Sequence, residues 1–152
     1  MIAIVLGSMG VAFFLVCEED AKASRIGALL EFSAFIRDSV NNYSMSASDI
    51  LKTCDRELLK RCGYNFDANG EITLKMLEEE CEISDAESER AFKNMIGDFG
   101  SLYRQAQVER CDDCISILKE RNEYISRQLP SRKRVITCVC FCVAAFVLIL
   151  LL

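Results

Sequence analysis

Three basic residues, Arg132-Lys133-Arg134, precede a run without a charge, Val135-Ile-Thr-Cys-Val-Cys-Phe-Cys-Val-Ala-Ala-Phe-Val-Leu-Ile-Leu-Leu-Leu152. As a helix this run would measure about 27 Å, close to the hydrocarbon core of a bilayer at about 30 Å. A buried core helix is the alternative, but it would normally carry polar residues on one face. The stretch therefore predicts a C-terminal transmembrane helix over residues 135–152, behind a basic juxtamembrane segment over residues 131–134.

A second uncharged run, Met1–Cys17, ends at the acidic residues Glu18-Glu19-Asp20. Its length is at the lower limit for a helix that crosses a membrane. A cleaved signal peptide is the alternative, but the run lacks a basic start and a small-x-small cleavage site. We therefore expect a retained N-terminal transmembrane helix over residues 1–17.

The charged residues are confined to the middle of the chain. All 18 Lys and Arg and all 23 Asp and Glu residues lie between Glu18 and Arg134. The net charge of −5 argues against a nucleic-acid partner, because phosphate binding needs a basic face. The chain has no His, so the commonest general base and metal ligand is absent. The composition predicts a polar domain between two apolar ends, with no catalytic residue, metal or cofactor.

Between the apolar ends, hydrophobic residues recur at helical spacing, and no stretch alternates as a strand would. Residues 21–41 are predicted to form a helix with one broad apolar face. Two capping boxes, Ser46-Ala-Ser-Asp49 and Ser84-Asp-Ala-Glu87, predict helix starts. The first would open a helix through Leu59 that Gly63 closes, and a short helix would begin at Thr73.

A long helix is predicted from Leu102 to Leu129, and Pro130 then kinks it or restarts it. Its apolar stripe keeps one face and consists of Cys111, Cys114, Ile115, Leu118, Ile125 and Leu129. The predicted fold class is all-α. An antiparallel bundle of about five helices over residues 18–130 lies between an N-terminal and a C-terminal transmembrane helix.

Basic residues near the two apolar runs predict the orientation in the membrane. Lys22 and Arg25 follow the first run, Arg127 and the basic cluster Arg132-Lys133-Arg134 precede the second, and no charged side chain lies on the far side. The positive-inside rule therefore places the bundle in the cytoplasm and both termini across the membrane. The basic cluster either contacts anionic lipid or only orients the second span, and the sequence leaves both open.

The nine cysteines predict reduced thiols rather than a disulfide framework, because their number is odd and three lie in the apolar C-terminal run. Cys111-Asp-Asp-Cys114 has the spacing of a redox or metal pair. However, two carboxylates would raise the thiol pKa, and zinc would need a second pair of ligands. Core packing is the favoured interpretation. Asp67-Ala-Asn-Gly-Glu71 lacks the ligand spacing of a calcium loop and is interpreted as a link between helices.

Phe99-Gly100 precedes Arg104 and Gln107, which open the long helix that runs without a gap into the apolar C-terminus. In these residues and in its architecture the chain resembles the stage III sporulation protein AB family of endospore-forming bacteria. Tyr103 stands where the family tends to have an acidic residue. The family is itself similar to the cytoplasmic F-domain of inner-membrane platform proteins in type II secretion.

The resemblance implies a non-enzymatic subunit of a secretion-like channel that the mother cell builds in the membrane around the forespore. Its implied partners are a cytoplasmic secretion-type ATPase, other sporulation channel membrane proteins and the lipid bilayer, with homo-oligomers possible. Such a subunit would link the ATPase to the membrane assembly. Our candidates for the contacting face are Arg104, Gln107 and Glu109 on the outer side of the long helix.

Two other functions stay open at this point. One is a membrane-tethered thiol redox or metal-sensing protein that uses Cys111 and Cys114, which a lowered thiol pKa would favour. The other is a generic anchored signalling or lipid-contact module, with the basic cluster as its contact.

Overall fold

The computed structural model describes residues 2–43, 45–64, 72–81, 83, 85–97 and 99–150, without the side chains of residues 2–6, 8–9, 148 and 150. Within these ranges there are helices and no strands, which confirms the predicted all-α class. The helices are α1 Ile2–Tyr43, α2 Ala47–Thr53, α3 Arg56–Arg61, α4 Leu74–Glu79, α5 Ala86–Gly97 and α6 Arg104–Leu150. Across the described ranges, none of these helices has both the length and the apolar character needed to cross a membrane.

The first and last helices are longer than the sequence predicted. The uncharged N-terminal run and the predicted helix over residues 21–41 form one helix, α1. Pro130 lies inside α6, so of the two predicted alternatives, a kink or a restart, the helix does not restart at this residue. Proline removes one backbone hydrogen bond, but the helix-forming residues on both sides continue the helix past it.

The predicted single helix after Ser46 is two helices. Ser46 caps α2 as expected, because its Oγ accepts a hydrogen bond from the Asp49 backbone N–H at 3.3 Å. The break follows from Asp55, which is extended and caps α3 by accepting from the Glu57 N–H at 3.0 Å. A capping side chain in the middle of the predicted helix thus separates α2 from α3. Gly63 closes α3 with φ of +93°, as its position predicted.

The start of α5 is capped by Asp85, whose Oδ2 accepts from the Ser88 N–H at 2.9 Å and from Ser88 Oγ at 2.7 Å. The predicted cap Ser84 lies outside the described residues, as does the link at residues 65–71 that contains the calcium-like segment Asp67–Glu71. Thr73 caps α4 as predicted, accepting from the Met76 N–H at 3.3 Å.

The chain divides into two compact units, and the division falls inside α1 and α6. The bundle unit is Ser24–Glu123, and the terminal unit comprises the described parts of Met1–Ala23 and Tyr124–Leu152.

In the bundle unit, α1 and α6 run antiparallel. Arg37 Nε lies 3.0 Å from Asp112 Oδ1, whereas Ser33, earlier in α1, lies against Cys114, later in α6. The core is formed by side chains from every helix, and its largest fully buried members are Phe32, Phe92, Ile26, Leu29, Ile36, Ile50, Leu59, Leu77 and Leu118. The rings of Phe32 and Phe92 are 6.1 Å apart between centroids and join α1 to α5. Tyr64 is buried and donates to the Leu77 carbonyl at 3.0 Å, which ties the end of α3 to α4.

Candidate functional site

The terminal unit contains two ion pairs that join α1 to α6. Lys133 Nζ lies 2.6 Å from Asp20 Oδ1, and Arg132 Nη1 lies 3.3 Å from Glu19 Oε2. The two acidic residues lie two and three positions after the first uncharged run, and the two basic residues lie two and three positions before the second. We call these two ion pairs the charge clamp.

The clamp is connected to further residues of its own two helices. Lys22 Nζ contacts Glu18 at 3.0 Å and Glu19 at 3.2 Å, one turn apart on α1. The hydrogen bond from Lys22 and then that from Arg132 lower the pKa of Glu19, so its carboxylate is charged at neutral pH. On α6, Arg132 also donates to the Gln128 side-chain oxygen at 3.3 Å. The arginine is therefore held from both sides while it contacts α1.

Large apolar side chains on the terminal unit are exposed. The most exposed are Phe13 at 73%, Ile149 at 71% and Phe14 at 68%. Others on the same unit are Val11, Val135, Val139, Phe141, Val143 and Phe146, each more than half exposed. Many large exposed apolar side chains on one unit are typical of a surface that binds another apolar phase or a partner.

Sequence reasoning missed Glu19 and Asp20 as partners of the basic cluster. It treated the acidic residues only as the end of the first uncharged run. The available signal was their position: two antiparallel spans that enter a membrane from one side place the end of the first and the start of the second at one level. An acidic run at one position and a basic run at the other then face each other.

The proposed partner-facing residues lie at the start of α6. Arg104 and Glu109 are exposed, whereas Gln107 is half-buried beside buried Val108. An α-helix turns by about 100° per residue, so Glu109 lies about 160° around α6 from Gln107. Arg104 and Gln107 share a side, and Glu109 accepts from Gln105 at 3.4 Å on the other. The assignment of all three to a partner interface stays a prediction, and the helix geometry shows that the three residues do not share one side of α6.

The thiols of Cys111 and Cys114 belong to the core, with exposures of 0% and 2%. Burial first, and then nearby Cys114 and Asp112, raise the pKa of Cys111 to about 12. Burial also raises the pKa of Cys114 to about 11, against the weak contact with Ser33 Oγ at 3.9 Å. Protonated thiols are poor nucleophiles and poor metal ligands. The geometry favours core packing over the redox or metal interpretation.

The described part of the bundle unit has surface cavities. One, about 500 Å³, lies where α2, the start of α3 and the start of α4 meet, and it is lined in part by Leu51, Lys52, Cys54, Arg56, Ile72 and Leu74. Burial raises the pKa of the Cys54 thiol in this lining to about 11, so this thiol is protonated at neutral pH. Another, about 240 Å³, lies between α5 and α6. Among the residues that the structure describes, no group of three or more Cys, Asp or Glu side chains could hold a metal ion.

These features define a class of all-helical bundle proteins. The first helix begins with an apolar segment, the last helix ends with one, and the charge clamp joins the two helices beside these segments. The chain belongs to the stage III sporulation protein AB family, whose family model matches residues 31–152. It is therefore a protein of sporulation stage III. Neither the curated proteins nor the solved structures contain a match to it.

Proposed function

We propose that this chain is a non-enzymatic platform subunit of a secretion-like channel between mother cell and forespore. Two apolar segments, residues 1–17 and 135–152, hold it in the mother-cell membrane that surrounds the forespore. Its bundle stands in the cytoplasm and links a secretion-type ATPase to the membrane assembly. The chief observation behind this proposal is the charge clamp, because it fits a hairpin of two spans that meet the water boundary at one level.

Membrane anchoring is supported by sequence and side-chain exposure together. The run after Arg134 has no charge over residues 135–152, and its described large side chains are mostly exposed. In the first segment, the large apolar side chains of Phe13 and Phe14 are exposed as well. Burying an apolar side chain of this size is worth about 1.5–3 kcal/mol, so a lipid environment would stabilise this surface strongly. The basic residues beside the clamp favour a cytoplasmic bundle with both termini outside.

The platform role is supported by the family and by the way in which the bundle is connected. Both long helices are shared between the two units. The N-terminal part of α1 and the C-terminal part of α6 belong to the terminal unit. A domain attached to one bilayer through two helices has less rotational freedom than a domain on one flexible linker, which lowers the entropy lost on assembly. The start of α6, with Arg104 exposed, is our candidate for the ATPase contact.

The redox or metal-sensing alternative has no supporting observation. Such a function needs a thiol with a lowered pKa, whereas burial raises the pKa of both Cys111 and Cys114.

The test is in-cell crosslinking of the tagged full-length protein in sporulating cells, followed by purification and mass identification. We expect a secretion-type ATPase and other sporulation membrane proteins to co-purify. Arg104→Glu should lower recovery of the ATPase by about tenfold, because charge reversal at a protein interface typically costs more than about 1.4 kcal/mol. Lys75→Glu is the matched control, since Lys75 is 82% exposed on α4 and the charge change is the same. Purification of the chain without these proteins would contradict the proposed function, and equal recovery with Arg104→Glu would contradict the assigned face.

A further inference from the structure

The charge clamp bears on which lipid headgroups this protein can bind. The acidic run Glu18-Glu19-Asp20 lies beside the basic cluster Arg132-Lys133-Arg134, and Lys22 lies one turn further along α1. Taken alone, the basic cluster would attract anionic lipid, as polybasic segments beside a membrane do. In this structure, two of its three cations are already in contact with carboxylates.

We infer that the acidic run withholds the basic cluster from anionic headgroups, so that the boundary surface of the terminal unit fits a zwitterionic lipid layer. This inference rests on the membrane anchoring proposed above. It decides between the two roles that the sequence leaves open for the basic cluster. The cluster orients the second span and pairs with the first, and it is not a site for anionic lipid.

Geometry is the first support for this inference. A lipid phosphate that binds Lys133 has to replace Asp20, whose two carboxylate oxygens lie 2.6 Å and 2.7 Å from Nζ. Likewise, Arg132 Nη1 is occupied by Glu19 and Nη2 by Gln128. These partners belong to the same chain, so their effective concentration at the cations exceeds that of a diffusing lipid.

Net charge is the second support. The terminal unit carries three acidic residues against Lys22, Arg127 and the three cations of the basic cluster, which leaves two net positive charges. Charges that lie within about one Debye length of one another, roughly 8 Å at physiological ionic strength, act together on an approaching headgroup. The carboxylates also repel a phosphate directly. The attraction for anionic lipid therefore corresponds to about two cations rather than to a polybasic segment.

The test compares lipid retention by full-length variants. Each protein is reconstituted into vesicles of phosphatidylcholine with a minor fraction of phosphatidylglycerol, extracted in mild detergent, and analysed for bound lipid by mass spectrometry. The double variant Glu19→Gln/Asp20→Asn removes the two clamp carboxylates with little change in shape. The matched control is Glu57→Gln/Glu79→Gln, which removes two charges from exposed ion pairs with Lys60 and Lys75 in the bundle unit.

For the natural protein and the control we expect retained lipid with the same phosphatidylglycerol fraction as the vesicles. For the clamp variant we expect an enrichment of at least about threefold, because two further net cations are exposed to the headgroups. Added salt should reduce that enrichment, since it screens charges at the surface. Equal enrichment in the natural protein and the clamp variant, or none in either, would overturn the inference. Failure of the natural protein to enter vesicles would instead contradict membrane anchoring and remove the basis of this inference.

Discussion

At the scale of single residues, Asp85 combines two stabilising roles. It caps α5 through Ser88, and it forms a charge-assisted pair with Arg121, whose Nε lies 3.1 Å from Oδ2 and whose Nη2 contacts Oδ1. The Asp85 side chain is only 13% exposed. The hydrogen bond from Arg121, and then those from Ser88, lower its pKa from 3.8 to about 2. The carboxylate thus joins the start of α5 to α6.

We predict that Asp85→Asn lowers the free energy of unfolding of the full chain by about 2 kcal/mol at neutral pH. The pKa of Asp85 is depressed in the folded state, so its contribution is complete above the unfolded pKa of 3.8 and is lost as the pH falls toward about 2. The natural protein should therefore lose more stability than the variant between pH of about 5 and about 2. Thermal unfolding in detergent, followed by circular dichroism, measures this.

Glu87→Gln is the control for this prediction. Glu87 also contacts Arg121, at 3.5 Å, but its side chain is 63% exposed, so the pair is weak. A similar loss of stability in both variants, or the same acid dependence in Asp85→Asn and the natural protein, would show that Asp85 does not have the assigned role.

The sequence predicted a helix start near Asp85 but assigned the cap to Ser84. Ser and Asp are both good capping residues, so the local sequence Ser84-Asp85 does not determine which of the two caps the helix. The contact with Arg121 on another helix favours Asp85, and an interaction over 36 residues has no signature in a capping box.

At the scale of helices, the end of α3 depends on a side chain of α1. Arg25 donates from Nε to the Cys62 carbonyl at 2.8 Å and from Nη2 to the Gly63 carbonyl at 3.3 Å. Gly63 has a φ of +93°, and a Cβ on it would collide with the Arg25 guanidinium. Arg25 therefore satisfies carbonyl groups that the helix end leaves free.

We predict that Gly63→Ala destabilises the chain more than Gly100→Ala does. Gly100 also has a positive φ, +87°, but nothing lies within 4 Å of a Cβ there, so that variant has backbone strain alone. The strain is of the order of 1 kcal/mol in both, and Gly63→Ala adds the loss of the Arg25 hydrogen bonds, about another 1–2 kcal/mol. Thermal unfolding of the two variants gives the difference. In an Arg25→Met background the difference should disappear, and its persistence there would contradict this explanation.

Helix periodicity predicted most elements but not the division between α2 and α3. Leu51 and Leu58 keep one helical face across the break, so the hydrophobic pattern continues through it. The break depends on Asp55, whose side chain begins a new helix within a pattern that reads as continuous. Apolar spacing therefore reports which residues are buried more reliably than it reports where a helix ends.

At the scale of the whole molecule, the sequence predicted the all-α class, the family and the candidate membrane segments. The clamp was missed, because its two halves are 113 residues apart and pair only when the first and last helices are antiparallel neighbours. The burial of Cys111 and Cys114 was predicted, because both lie on the apolar stripe of the long helix.

The central claim is that the two apolar segments hold the chain in one membrane with both termini on the far side. It is tested by placing a different epitope tag at each terminus, expressing the full chain in non-sporulating cells of its bacterial host, and treating intact protoplasts with protease. The account predicts that both tags are lost while the bundle is protected, and that the chain resists extraction by alkaline carbonate. Release by carbonate, or a terminal tag that is digested only after lysis, would contradict it.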